Sequence, residues 1–170
     1  HTIITGSPIS NKLAYLDTLL TSLLSVETPN TLRLILLDGA NYLHLYNGIP
    51  HLLTPVTGEA DKILSALRWG IGEMENRFLE FKKVDCRDIT SYNKSSNSPI
   101  EHVLFVVTCI DAYISYATME MSDAIKRLTS LGARAGIHMI FTVDMLTSRT
   151  IPIEIQENIP TVISFKNPRV

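Results

Sequence analysis

Near-continuous apolar runs alternate along the chain with stretches in which apolar residues recur every three to four positions. The apolar runs are Thr2–Ile4, Leu32–Leu37, Val103–Val107, Ile137–Val143 and Thr161–Phe165. Such runs are typical of strands covered on both faces, whereas the intervening spacing is that of amphipathic helices. The alternation predicts an α/β fold with a mostly parallel central sheet flanked by helices.

The helical spacing is found in four segments, which are 11–24, 59–83, 122–131 and 152–158. The second and longest contains Gly70 and Gly72, which weaken a helix and therefore predict close packing at those points. Trp69 on the same helix is predicted to lie in the core. Ser122 is a candidate N-cap, and the polar segment Asn93–Pro99 is predicted to be a loop.

Composition fits one globular domain over residues 1–170. Apolar residues make up 45% and charged residues 19% of the chain, which is too apolar for a disordered protein. The net charge of -2 provides no overall basic field for nucleic acid. Two cysteines far apart, without metal-site or disulfide spacing, fit a reducing, cytoplasmic setting. No apolar run is long enough to predict a membrane span. Because the chain opens directly on a predicted strand, we expect a fragment of a longer protein.

The turn between the first strand and the first helix, Gly6–Leu13, partly matches the phosphate-binding P-loop pattern G-x-x-x-x-G-K-[ST]. Gly6 and Lys12 keep the required spacing. Asn11 replaces the second glycine, and Leu13 replaces the residue that would bind magnesium. The alternative is an ordinary helix N-terminus with Ser10 as its cap and Lys12 in solvent.

Other segments, in order and over nearly the whole chain, resemble the FtsK/SpoIIIE family of double-stranded DNA translocases. They are Tyr46–Val56, Ala66–Trp69, Glu73–Phe78, Tyr92–Asn93, Gly136–Ile140, Asn158–Thr161 and Ser164–Lys166. The resemblance implies a RecA-like P-loop NTPase fold that binds ATP and Mg²⁺. It also implies a degenerate Walker A nucleotide site, formed by Gly6, Ser7, Ser10, Asn11, Lys12 and Leu13.

The same resemblance shows where catalytic groups are replaced. The family's Asp-Glu pair after the third strand, its Walker B motif, corresponds here to Thr108 and Cys109. The family's sensor Gln-Arg corresponds to Asp144 and Met145. Without groups to hold magnesium and activate water, little ATP hydrolysis is expected. We expect ATP and Mg²⁺ binding to be weak or absent, and assign no catalytic or metal-binding residue.

Three functions stay open at this point. The first is a domain of a DNA-translocating ring, with impaired hydrolysis and with duplex DNA or sister ATPase domains as partners. The second is a regulatory or substrate-binding domain of a type VII secretion ATPase, whose vacated cleft binds the signal segment of a secreted protein. The third is active chemistry with Asp111 or Asp144 as a substitute magnesium ligand. In each case we expect a cytoplasmic domain of a membrane-anchored protein that is monomeric as an isolated fragment.

Overall fold

The computed structural model describes residues 1–114 and 119–166, in which five strands form one parallel sheet. The strand order is β2-β3-β4-β1-β5. The strands are β1 (Thr2–Thr5), β2 (Leu32–Asp38), β3 (His102–Thr108), β4 (Ile137–Val143) and β5 (Thr161–Ser164). The predicted parallel α/β architecture is confirmed.

Helices connect and cover these strands. They are α1 (Lys12–Val26), α2 (Ala60–Lys83), α3 (Ile89–Ser95), α4 (Ile110–Ile114), α5 (Met119–Leu131) and α6 (Ile153–Gln156), with 3-10 turns at Leu43–Tyr46 and Gly132–Ala135. Helix α3 was not predicted, and the predicted loop Asn93–Pro99 was wrong over residues 93–95, which belong to this helix. It is a short helix that begins with a capping box, in which the Asp88 side chain accepts a hydrogen bond from Ser91 N at 2.8 Å. Ser122 lies inside α5, so its assignment as an N-cap was wrong.

The sheet buries both faces because each apolar strand sends alternate side chains to opposite sides. Val103, Phe105 and Val107 of β3 pack with α2 and α5. Leu104 and Val106 pack with α1 on the other face. Within the described parts of the chain, no helix is both long enough and apolar enough to cross a bilayer.

The long helix α2 meets the sheet closely at one of its two glycines. A Cβ added to Gly70 would lie 2.8 Å from Cζ of Phe105, whereas nothing lies within 4 Å of one added to Gly72. Close packing is therefore confirmed only for Gly70. Trp69 is 42% exposed, so its placement in the core was wrong. Its ring centroid lies 6.4 Å from that of Phe105, at the edge of the core.

The outer edge of β2 is covered by the segment 51–57. Leu34 N donates to His51 O at 2.8 Å, and Asp38 N donates to Thr57 O at 2.7 Å. These bonds satisfy backbone groups that an open edge strand would expose.

Parallel pairing determines where the candidate site lies. Thr5 of β1 pairs with Val143 of β4, and Val107 of β3 pairs with Phe141 of β4. The segments that follow these three strands therefore leave the sheet side by side at its carboxyl end, where open α/β sheets bind ligands.

Candidate functional site

The loop after β1 is folded tightly on itself. Gly6 N donates to Val143 O at 3.2 Å, and Ser10 N donates to Ser7 O at 2.9 Å. A Cβ added to Gly6 would lie 2.6 Å from Ser10 Oγ and 2.9 Å from Phe165 Cβ. Only glycine fits at residue 6 without displacing these neighbours, and the close approach is to the protein itself.

Lys12 begins α1 and is almost completely buried, with 2% of the residue exposed. Its Nζ donates to Gly6 O at 2.7 Å and forms an ion pair with the carboxylate of Asp144. The alternative of a Ser10 cap with Lys12 in solvent was therefore wrong. The N-cap residue is Asn11, whose side chain makes no capping bond.

The remaining Walker A positions offer little to a metal-bound phosphate. Leu13 is partly buried and packs with the apolar cluster around α1. Asn11 is exposed. Pro8 has no backbone N–H to donate. The structure thus brings the predicted loop residues together, but as a packed turn with one buried cation.

Thr108, at the Walker B position, is fully buried at the end of β3. Its hydroxyl donates to Asp38 Oδ1 at 2.9 Å and accepts from Ala40 N at 3.0 Å. The other oxygen of Asp38 accepts from Leu43 N at 2.7 Å. These bonds tie the ends of β2 and β3 together and use the Asp38 carboxylate structurally.

Cys109 follows with a left-handed backbone, φ 51°. Its N–H donates to Thr142 Oγ1 of β4 at 3.0 Å. Burial, and then the negative charges of Asp111 and Asp144, raise the pKa of the Cys109 thiol above its ordinary value, while Lys12 opposes them. The thiol is therefore protonated at neutral pH and cannot replace the carboxylate that would activate water.

These residues do not fit Mg-ATP as they are arranged. Lys12 is already paired with a carboxylate, and the Ser10 N–H is already bonded within the loop. Over residues 1–114 and 119–166, no three His, Cys, Asp or Glu side chains converge to hold a metal ion. The site can hold a negative charge at Lys12, and Asp144 supplies that charge.

Sequence reasoning placed Lys12 and Asp144 in two separate motifs and missed their contact. The sequence shows only that the two opposite charges follow neighbouring strands, which does not single out Asp144 among the carboxylates at that end of the sheet. Tyr113 was also missed. Its ring lies 2.7 Å from the position of a Cβ added to Gly39, and its hydroxyl donates to Gly58 O at 3.0 Å.

A second concave site lies between α2 and the covered edge of β2. It is an apolar groove of about 680 Å³. Leu53, Pro55 and Val56 form one wall, and Ala66 and the half-exposed Trp69 form the other.

The sequence is similar to that of a known protein family. A sequence model of the FtsK/SpoIIIE family matches residues 1–118. The chain belongs to the FtsK/SpoIIIE family. A DNA translocase FtsK from Caldanaerobacter subterraneus subsp. tengcongensis is 33% identical over 167 residues, which cover 97% of this chain and 24% of that protein. The FtsK/SpoIIIE chain thus spans about a quarter of that relative's length.

Solved structures show the same RecA-like ATPase fold. EssC (ATPases 2 and 3) from Geobacillus thermodenitrificans superposes with a TM-score of 0.91 at 20% identity, over 99% of this chain and 32% of that one. Thermomonospora curvata EccC (ATPases 2 and 3), in complex with a signal sequence peptide, gives a TM-score of 0.84 at 21% identity. That match covers 99% of this chain and 31% of EccC. At these identities the likeness establishes the fold.

Proposed function

We propose that this FtsK/SpoIIIE domain serves in a DNA-translocating assembly without hydrolysing ATP itself. The observation that carries the proposal is the ion pair between buried Lys12 and Asp144. The lysine that would grip the β and γ phosphates is neutralised from within the chain.

The replaced residues support the same conclusion. Leu13, Thr108 and Cys109 stand where the family has a magnesium hydroxyl, a magnesium carboxylate and a carboxylate that activates water. Each such electrostatic group contributes on the order of 10²-fold or more to a rate. Thr108 and Cys109 instead hold the ends of neighbouring strands through hydrogen bonds.

The test is steady-state ATP turnover in magnesium by the purified chain and by a Lys12→Ala variant. We expect equal rates at the background level. Turnover that requires both Lys12 and magnesium would show an active motor and refute the proposal. It would revive the hypothesis that Asp111 or Asp144 substitutes as a metal ligand.

The proposed partners are duplex DNA or sister ATPase domains, because FtsK relatives are named DNA translocases. The exposed basic side chains near the end of α2 and at α3 are the candidate DNA contacts, namely Lys82, Lys83, Arg87 and Lys94. If they bind phosphates, a Lys82→Gln/Lys94→Gln variant weakens duplex binding and lowers its salt dependence. Equal affinity and equal salt dependence would leave the sister domains as the partner.

A second candidate function is a peptide-binding domain of a secretion ATPase located in the cytoplasm. The specific observation in its favour is the apolar groove beside Trp69. Grooves of this kind take the apolar face of a short segment. The Thermomonospora curvata EccC structure contains a bound signal sequence peptide.

Trp69 provides a direct readout of that function because it is the chain's only tryptophan. Adding a synthetic signal-sequence peptide is expected to shift its fluorescence if the groove binds. Ala66→Arg on the groove wall should abolish the shift. Leu79→Arg, at an exposed apolar residue of the same helix outside the groove, is the matched control. A shift that survives Ala66→Arg would place binding elsewhere.

A further inference from the structure

Lys12 and Asp144 are 132 positions apart in sequence, yet among the described residues they form the one ion pair that joins the start of α1 to the segment after β4. We propose that Asp144 is the built-in anion of this site. Its carboxylate lies beside Lys12, where a bound phosphate would place its negative charge, and so keeps polyphosphates from pairing with that lysine. This inference rests on the proposed function, since it explains how the site is kept out of use.

Desolvation explains why the pair forms. An ammonium buried as deeply as that of Lys12 is strongly unfavourable unless an anion is near it. Gly6 O accepts one of its hydrogen bonds, but a carbonyl carries no net charge. The carboxylate of Asp144 therefore provides the compensation that a bound phosphate would otherwise provide.

The two side chains are unequally exposed, so an incoming anion could displace the Asp144 carboxylate from Lys12. Lys12 is 2% exposed, whereas the side chain of Asp144 is 40% exposed. Asp144 thus approaches Lys12 from the solvent side. Its side chain can rotate into water without opening the core, whereas the buried side chain of Lys12 cannot.

The chemistry of the emptied site would suit a small polyphosphate without metal. It would have one buried ammonium beside the N-terminus of α1, a helix of 15 residues. Free N–H groups at a helix N-terminus also favour negative charge. For this site to accept the anion, only the side chain of Asp144 has to move.

The experiment is calorimetric titration with inorganic pyrophosphate in magnesium-free buffer. The proteins are the wild type, Asp144→Asn, and Asp123→Asn as a matched control at an exposed aspartate on α5. Asp144→Gln is a second variant that carries the residue type of the related translocases, and it serves if Asp144→Asn does not fold. Circular dichroism confirms folding of each.

We expect the Asp144 variants to bind pyrophosphate at least about tenfold more tightly than the wild type, because the competing carboxylate no longer occupies Lys12. Asp123→Asn should match the wild type. Adding Lys12→Gln to the Asp144 variant should remove the gain. Equal affinity of the wild type and both Asp144 variants overturns the inference, as does an absence of binding in all of them.

These outcomes are distinguishable from failure of the proposed function. Lys12-dependent ATP turnover by the wild type would refute the non-hydrolysing role, whatever pyrophosphate does. Conversely, a wild type without turnover whose Asp144 variants gain no affinity keeps the proposed function and loses only the built-in anion.

Discussion

The two ends of the parallel sheet hold polar groups that are wholly or partly removed from water, and they do so in opposite ways. At the carboxyl end, Lys12 and Asp144 form an ion pair. At the amino end, His102 Nδ1 and His138 Nε2 share a hydrogen bond of 3.0 Å between stacked rings whose centroids are 5.2 Å apart. One end is held by opposite charges and the other by neutral rings, so the two ends should respond differently to mutation and to acid.

Burial is the reason the amino end is neutral. Burial first, then His102, then the terminal amine lower the pKa of His138 to about 4. Burial and the nearby Arg77 also lower the pKa of His102, with Glu27 opposing them. The carboxyl end avoids this solution because a lysine buried there has a carboxylate within reach. At the carboxyl end it is the chain's own anion, the Asp144 carboxylate, that makes the burial of Lys12 tolerable.

The largest expected effect comes from removing the carboxylate of Asp144 at the carboxyl end. Asp144→Asn leaves the buried ammonium of Lys12 uncompensated and should lower the free energy of unfolding by about 3 kcal/mol. Lys12→Met leaves a carboxylate that water can reach, and should lower the free energy of unfolding by only about 1 kcal/mol. Urea denaturation of the two variants measures the asymmetry. A greater loss for Lys12→Met would contradict the assignment of Lys12 as the desolvated partner.

Acid should destabilise the amino end next. The folded-state pKa of His138, about 4, lies below its ordinary value of 6.5, so the unfolded chain binds the proton more tightly. The stabilisation is therefore complete above about pH 6.5 and falls by about 2 kcal/mol as the pH drops to about 5. His138→Gln should flatten this part of the pH profile, whereas His44→Gln, at an exposed histidine, should not. An unchanged profile in His138→Gln would remove the histidine pair as the cause.

A smaller effect tests how tightly the carboxyl-end loop is packed. Gly6→Ala places a methyl group against Ser10 Oγ and Phe165 Cβ, and should lower stability by about 1–2 kcal/mol. The matched substitution Gly72→Ala adds a methyl group in open space on α2, and should raise stability by about 0.5–1 kcal/mol. Thermal denaturation compares the two. A neutral Gly6→Ala would show a looser loop than the contacts describe.

Most of the architecture was predictable because its cause is local. The apolar runs at β2, β3 and β4 and the long periodic stretch of α2 define strands and a helix by pattern alone. Helix α3 escaped prediction because its polar residues follow a loop-like pattern, and the capping box formed by Asp88 and Ser91 decides it. Trp69 was misplaced because helical spacing does not distinguish the core from the rim of a groove.

The candidate site was predictable only in part. Motif position correctly brought the loop after β1 to the ends of β3 and β4. The partner of Lys12 was not predictable, since the pairing joins residues far apart in sequence and depends on which of several nearby carboxylates the fold aims at the ammonium. The role of Thr108 in holding Asp38 likewise needs the distance between two strand ends.

In this structure the Asp144 carboxylate, rather than a nucleotide, neutralises Lys12. Calorimetric titration of the wild-type chain with ATP and magnesium shows whether a nucleotide can take its place. We predict no saturable heat up to millimolar ATP, so any binding free energy is weaker than about -4 kcal/mol. One-site binding at micromolar ATP that disappears in Lys12→Ala would contradict the claim.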